Sequence, residues 1–303
     1  MGLRLKEILA IATNRFQMEG CLDPKLDAEL LMMYLLRVER SYFFTHIAQE
    51  LSDDLCEEYF VLIDRRASGV PIQYITGDQE FMGLRFFVNE SVLIPRQDTE
   101  LLAETALSEL KAMKKPFGGF EVLDLCTGSG AIAVSLSYHM PKLKVTASDI
   151  SKAALNVAKK NAQAYQIKDI TFVEGDLWEP FPVNVKKQVG KKQFNLIAAN
   201  PPYIPSSVIP TLQREVKDHE PRIALDGGET GLDFYRRILE KASWFLKPQG
   251  VMLLEIGCEQ GVEVCGLSQS CGFTAEILQD LTGRDRVVRL RKKEEKGADR
   301  AAE

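Results

Sequence analysis

The stretch FEVLDLCTGSGAIAVSL, residues 120–136, decides how the rest of the chain is read. Its first seven residues form a short β-rich run, and a helix is expected from near Gly130. Gly128 and Gly130 between them let the backbone turn tightly and approach a ligand closely, while the helix that follows offers free N–H groups. The loop is not a dinucleotide fingerprint. Cys126 fills the first position of a G-x-G-x-G pattern, and no third glycine follows at the dinucleotide spacing. Taken alone, the loop reads equally as a structural turn.

Working outward, the same strand–helix alternation repeats. KVTASDI (144–150), ITFVEGD (170–176), FNLIAAN (194–200), GVMLLEIG (250–257), FTAEILQD (273–280) and RVVRLRK (286–292) are further strand candidates, separated by helical patterns such as GLDFYRRILEKASWFL (231–246). Near-continuous apolar strands alternating with helices predict an α/β, doubly wound, mostly parallel seven-stranded sheet covered by helices on both faces. The last two strands are too close for a helical crossover and are expected to form an antiparallel edge hairpin. Residues 1–70 read instead as a small helical N-terminal domain. Asp23 caps and Pro24 opens one helix, and Ser52 caps another that ends at Arg65 and Arg66 before Gly69. Residues 71–95 read as a strand pair or extended linker, 96–292 as the α/β domain, and 293–303 as a disordered tail.

At 303 residues the chain can bury a sizeable core, and 45% hydrophobic with 27% charged residues is ordinary for a soluble protein. No run approaches the ~20 apolar residues of a membrane span, the N-terminus is too charged for a signal peptide, and Lys6 spoils a myristoylation signal. The six cysteines include no C-x-x-C pair and there are three scattered histidines, so no metal site is expected and free thiols suit a cytoplasmic location. A net charge of −5 argues against a broad nucleic-acid surface. Lys186, Lys187, Lys191 and Lys192 cluster in a polar stretch read as a solvated loop, with an electrostatic partner contact as the alternative.

In a doubly wound sheet, ligands bind beyond the carboxyl ends of the strands. Three such ends are suited to an adenosine. Cys126, Thr127, Gly128, Ser129 and Gly130 form the glycine loop. Asp149 ends the next strand, where a carboxylate accepts from ribose hydroxyls. Asp176 follows a third strand, placed to accept from an exocyclic amine, with Leu177 or Trp178 against a flat base and a buried core Trp as the alternative for Trp178. The loop's lack of Lys or Arg disfavours phosphates.

A fourth strand ends on Asn200, Pro201, Pro202 and Tyr203; neither proline can donate to a ladder, so the strand must stop there. With D-L-C-T-G-S-G and the acidic strand ends in this order, the chain resembles class I S-adenosylmethionine-dependent methyltransferases, and N-P-P-Y resembles the subset that methylates planar amide or amino nitrogens. The resemblance implies S-adenosylmethionine as cofactor, S-adenosylhomocysteine as product and no metal. Such a nitrogen is a poor nucleophile. The Asn200 side-chain oxygen and the Pro201 carbonyl would accept its two N–H bonds, with the Tyr203 ring packed on its flat face. No conventional general base is needed, because the methylated nitrogen is acidic enough to lose its proton to water.

The residues before the sheet sharpen the resemblance. Pro71, Tyr74, Ile75, Gly77 and Phe81, then Ile94, Pro95, Arg96, Asp98, Thr99 and Glu100, resemble the linker of the peptide chain release factor N5-glutamine methyltransferases. That family implies a substrate glutamine in the Gly-Gly-Gln motif of class 1 release factors. It also implies that the helical domain binds the substrate protein, that 126–130, Asp149 and Asn200 contact the cofactor, and that Arg96 and Thr99 border its methionine end. Cys126 departs from the family's usual glycine, and the Lys-rich stretch at 183–193 looks inserted. Alternatives are a ribosomal-protein glutamine methyltransferase, a nucleic-acid adenine methyltransferase, and a non-catalytic binding protein on the same scaffold. Neither membrane association nor direct nucleic-acid binding is expected.

Overall fold

A computed structural model describes residues 3–114, 116–187 and 189–293; the expected disordered tail therefore falls, apart from Lys293, outside the described residues. The chain divides into two compact units, residues 1–78 with 211–220, and residues 79–210 with 221–303.

Helical spacing of apolar residues builds the first unit from α1 (Leu5–Met18), α2 (Pro24–Leu36), α3 (Tyr42–His46), α4 (Asp53–Ala67) and α5 (Ile72–Thr76). Leu5, Ile8, Ala12 and Phe16 place one face of α1 against Ala28, Leu31 and Met32 of α2 and Tyr59 and Ile63 of α4. Ser52 accepts the Leu55 N–H and caps α4, as its position suggests. Asp23 occupies the corresponding place before Pro24, yet its side chain makes no capping bond. Inside this small bundle Arg66 is buried, donating to Asp27 at 2.7 Å and to Glu215. Glu215 comes from a later segment, a short helix α9 (Arg214–His219), which packs with this unit although it lies beyond the fourth sheet strand in sequence.

The linker makes a hairpin of β1 (Asp78–Phe81) and β2 (Leu84–Phe87). Residues 92–94 add no strand, although Val92 and Ile94 are buried. The second unit then alternates α6 (Glu100–Ala112), β3 (Glu121–Leu125), α7 (Ala131–His139), β4 (Lys144–Asp149), α8 (Lys152–Ala164) and β5 (Ile170–Glu174). A small ladder, β6 (Val183–Asn184) with β7 (Val189–Gly190), falls in the Lys-rich stretch, where Lys192 is engaged by Glu121 and Thr146, both at 3.0 Å. Next come β8 (Phe194–Ala199), α10 (Asp233–Phe245), β9 (Leu246–Glu255), α11 (Gly261–Ser270), β10 (Phe273–Gln279) and β11 (Asp285–Lys292).

Seven strands form one sheet in the order β10-β11-β9-β8-β3-β4-β5, parallel except that β11 runs against both neighbours. The expected hairpin therefore sits at the edge, with its second strand inserted inward. Alternate residues feed two cores. Val122, Leu196 and Val251 face α6 and α7, whereas Leu123, Ile197 and Met252 face α10 and α11, so both sheet faces are buried. The chain runs outward from β3 through β4 to β5, then returns to β8 on the other side of β3. That reversal is the topological switch point, and the crevice beyond the carboxyl ends of β3 and β8 is where a ligand belongs.

Candidate active site

At the switch point the second unit holds a cavity of about 210 Å³. Cys126, Thr127, Gly128 and Ser129 line it from the loop after β3, Asp149 from β4, and Asp176 and Leu177 from the turn after β5. Asn200 and Pro202 enter from β8, and Arg96 and Thr99 from the segment before α6. Residues from these five separate stretches of sequence thus meet around one space. Gly130, Pro201, Trp178 and Tyr203 do not form its wall. Gly130, at φ +79°, packs where a Cβ would lie 2.9 Å from the Ala158 methyl, so it seats α7 against α8.

Trp178 is a correction to the adenosine reading. It is buried, stacks on Phe245 at 4.6 Å and donates its indole N–H to the Ile238 carbonyl, leaving Leu177 as the apolar group at the cavity. Ile150, half exposed beside Asp149, supplies a second apolar wall that the sequence reading passed over. Asp176 is held by Arg237 at 2.6 Å.

Backbone donors fix the acidic strand end. Asp149 accepts the Gly128 N–H through Oδ2 at 2.8 Å and the Ser151 N–H through Oδ1 at 2.9 Å, while Ser151 caps α8. Burial pushes the Asp149 carboxyl up, and those donors pull it back. Asn161 of α8 donates to the Ser129 carbonyl and exchanges hydrogen bonds with the Phe87 backbone, tying the glycine loop to β2. Asp124, fully buried at the loop's start, is pushed up to about 7 by desolvation despite donors from Thr127 at 2.5 Å and Ala133 at 3.0 Å. Its Oδ1 has no hydrogen-bond partner.

Cys126 holds φ at 63°, a left-handed conformation that costs a non-glycine residue roughly 1–2 kcal/mol. Its side chain packs on the α10 core, which offsets that cost. Cys126→Gly is therefore expected to leave the melting temperature nearly unchanged. Cys126→Val, β-branched at the same φ, should lose about 1–3 kcal/mol. Thermal unfolding of the two variants checks both directions; a Val variant as stable as the wild type would contradict the strain.

The Asn-Pro-Pro-Tyr segment is gripped from behind. Ile204 exchanges backbone hydrogen bonds with Leu225 and Gly227 at 3.0 and 2.8 Å, and Gln260 donates to the Tyr203 carbonyl at 3.0 Å. The close approach demands a missing side chain, since a Cβ on Gly227 would lie 2.7 Å from Tyr203 Cα. Gly227→Ala is accordingly expected to cost about 1–3 kcal/mol by overpacking and to lower turnover by moving the segment. Unfolding and initial-rate measurements test this, and unchanged values in both would refute the clamp. The clustered glycines of LDGGETG (225–231) were the available sequence signal.

Asn200 donates through Nδ2 to the Thr99 hydroxyl at 3.2 Å. Nearby, the Glu255 carboxyl, which ends β9, receives the Tyr203 hydroxyl at 3.4 Å. Glu255 is buried, and desolvation pushes it up to about 7. A carboxylate closing the apolar run GVMLLE was the signal for it, of the same kind that marked Asp149.

The donor set fits S-adenosylmethionine: carboxylates at two strand ends for hydroxyls and an amine, and apolar Ile150 and Leu177 for a flat base. Among the described residues no group of His, Cys, Asp and Glu is arranged to hold a metal ion, and no helix is long and apolar enough to cross a membrane.

Comparison with known proteins follows the same outline. A family model described as the PrmC N-terminal domain matches residues 7–77, and one described as the methyltransferase small domain matches residues 99–214. A release factor glutamine methyltransferase of Moorella thermoacetica is 40% identical over 97% of this chain and 100% of its own length. The protein of the same name from Deinococcus radiodurans is 37% identical over 96% of this chain and 99% of its own. Among solved structures, the hMettl16 catalytic domain in complex with MAT2A 3′UTR hairpin 6 covers 80% of this chain and 84% of its own with a TM-score of 0.54; at 13% identity it shows the fold alone.

Proposed function

Since the chain belongs to the release factor glutamine methyltransferases, we propose that it methylates the side-chain amide nitrogen, N5, of the glutamine in the Gly-Gly-Gln motif of class 1 peptide chain release factors. S-adenosylmethionine is the proposed methyl donor, leaving S-adenosylhomocysteine, and when bound it supplies a methyl group already activated on a sulfonium. The observation that carries the reading is the amide of Asn200 at the edge of the cavity, its Nδ2 turned to Thr99 and its Oδ1 left for a substrate N–H.

A primary amide nitrogen attacks poorly because its lone pair is delocalised into the carbonyl. Asn200 Oδ1 and the Pro201 carbonyl accept its two hydrogens, which turns the lone pair toward the cofactor cavity and stabilises positive charge as the nitrogen becomes bonded to a fourth group. Pro201 and Pro202 restrict the torsions of that acceptor. Tyr203 packs against the flat face of the amide, its ring anchored through its hydroxyl on Glu255. The charged product nitrogen releases its proton to water, so no side chain need act as base. Asp149, Asp176, Leu177, the 126–129 loop, Arg96 and Thr99 are assigned to the cofactor. The helical unit is assigned to docking the substrate protein, and the cytoplasm is the proposed location.

The test is transfer of labelled methyl from S-adenosylmethionine to purified class 1 release factor, ribosomal proteins and DNA offered separately. Label on release factor alone is expected. Label on ribosomal protein or on adenine would replace this assignment with a sister activity.

A further inference from the structure

We propose that Gln260 is a positioning residue for methyl transfer: its side-chain amide staples the far end of the Asn-Pro-Pro-Tyr segment to the turn after β9, and so fixes where the Asn200 and Pro201 acceptors stand. The inference rests on the glutamine reading above and deepens it.

The need for a staple follows from the prolines. β8 and β9 pair in parallel from Leu196 with Val251 to Ala199 with Leu254. Beyond Ala199 the ladder cannot continue, because Pro201 and Pro202 have no N–H to donate. At the far end of the segment a side chain takes over. Gln260 donates through Nε2 to the Tyr203 carbonyl at 3.0 Å and to the Gly231 carbonyl at 3.2 Å. Its Oε1 accepts the Gly257 N–H at 2.9 Å. One amide thus joins the exit of the Asn-Pro-Pro-Tyr segment, the 225–231 strap and the turn after β9. Gln260 is itself anchored at the N-cap of α11, where its backbone N–H donates to the Gly257 carbonyl at 2.9 Å and its carbonyl accepts the Val264 N–H at 3.0 Å.

These partners require one acceptor and two donors at the tip of one side chain. An ionised glutamate has no donor, lysine and arginine have no acceptor, and a neutral histidine has one of each. Asparagine carries the same groups but is one methylene shorter. The seat is also close: a Cβ on Gly257 would lie 2.9 Å from Oε1, and one on Gly231 2.7 Å from Nε2.

The consequence falls on the substrate side. Between the ladder's end at Ala199 and the Tyr203 carbonyl stand only Asn200, Pro201 and Pro202, so pinning both ends holds the span that carries the two acceptors. The bonds between Ile204 and the strap do not replace the staple, since they tie two loops to each other, whereas Gln260 ties both to the start of α11. Neither Gln260 nor Tyr203, Gly231 or Gly257 lines the cofactor cavity, while Asn200 and Pro202 do. Loss of the staple is therefore expected to slow the chemical step and to spare cofactor binding.

The experiment measures kcat and KM for class 1 release factor at mildly alkaline pH in wild type, Gln260→Glu and Gln260→Met. Calorimetry with S-adenosylhomocysteine gives its affinity and counts the folded sites, so that turnover is expressed per site. Gln260→Glu keeps shape, size and the acceptor for Gly257, and turns a carboxylate oxygen toward two carbonyls. Gln260→Met keeps the length and loses all three bonds. Both should lower kcat roughly 10–100-fold, the scale of misplacing reacting groups by about 1 Å, with KM and S-adenosylhomocysteine affinity little changed. Gln260→Glu should be at least as slow as Gln260→Met. A merely structural role would show as fewer binding sites at wild-type turnover per site. That result, or a loss of S-adenosylhomocysteine affinity matching the loss of kcat, would overturn the proposal. Should one variant fail to fold, the other decides; failure of both to bind S-adenosylhomocysteine would show a folding role and overturn it too. A wild-type protein that binds S-adenosylhomocysteine but methylates no glutamine would instead overturn the underlying glutamine reading.

Discussion

Asn200→Ala is expected to lower kcat by roughly 10²–10³-fold, equivalent to about 2.7–4 kcal/mol of lost transition-state stabilisation, while affinity for S-adenosylhomocysteine changes little. The direction follows from what the side chain touches. Asn200 sits where β8 ends at the switch-point cavity, but its own hydrogen bond is to Thr99, with the glycine loop and Asp149 held by other donors. Truncation therefore leaves the cofactor walls standing and removes one of two acceptors for the substrate amide. Asn200→Asp is the sharper control, because it keeps an acceptor in place. Its carboxylate cannot donate to Thr99 and adds a second negative group near the buried Glu255, so it too should be slow. Single-turnover rates separate the chemical step from binding. Near-wild-type turnover in the Ala variant would rule out the two-acceptor geometry.

Arg66→Ala should destabilise the helical unit by about 3–5 kcal/mol, the cost of leaving a buried carboxylate without its partner. Arg66 is 3% exposed and Asp27 6%, and both donate or accept within the bundle interior with Glu215 completing the triad. Burial pushes the Asp27 carboxyl up and Arg66 opposes the shift, so removing the guanidinium leaves Asp27 to protonate or to drag water into the core. Because Glu215 lies on α9, the loss should also free the 211–220 segment. Replacing all three together, Asp27→Leu, Arg66→Met and Glu215→Leu, should restore much of the stability, since apolar residues of similar volume commonly substitute for a buried ionic cluster. Hydrogen exchange resolved along the chain is the fitting readout in a two-unit protein, where a single unfolding free energy is not well defined. Equal protection of α2 and α4 in Arg66→Ala and wild type would contradict it.

Much of the fold was legible because strands buried on both faces announce themselves as apolar runs with polar residues only at their ends. Asp149, Asp176 and Asn200 stood out for that reason, and the structure gathers them around one cavity. Carboxylates just within or at the end of such runs were harder to read. Glu255 closes such a run and Asp124 interrupts one, but their burial and surroundings are visible only in the structure. Trp178 went the other way: beside Leu177 in sequence, it turns from the cavity to stack on Phe245. The insertion of β11 between β9 and β10 was not legible either, because a hairpin's spacing sets its pairing and not which arm meets the rest of the sheet. Segment 211–220 gave no composition signal for joining the helical unit; its anchor is the Arg66 contact made about 150 residues away in sequence.

Taken together, the switch-point cavity supplies the place for the methyl donor, Asn200 and Pro201 the acceptors for a primary amide, and the strap at 225–231 the rigidity that keeps them in register. The measurement closest to this account is tandem mass spectrometry of a class 1 release factor after incubation with the protein and S-adenosylmethionine. One added methyl on the side-chain amide of the Gly-Gly-Gln glutamine, absent when Asn200→Ala replaces the wild type, is the expected result. An unmodified glutamine there, or a methyl found on another residue, would contradict it.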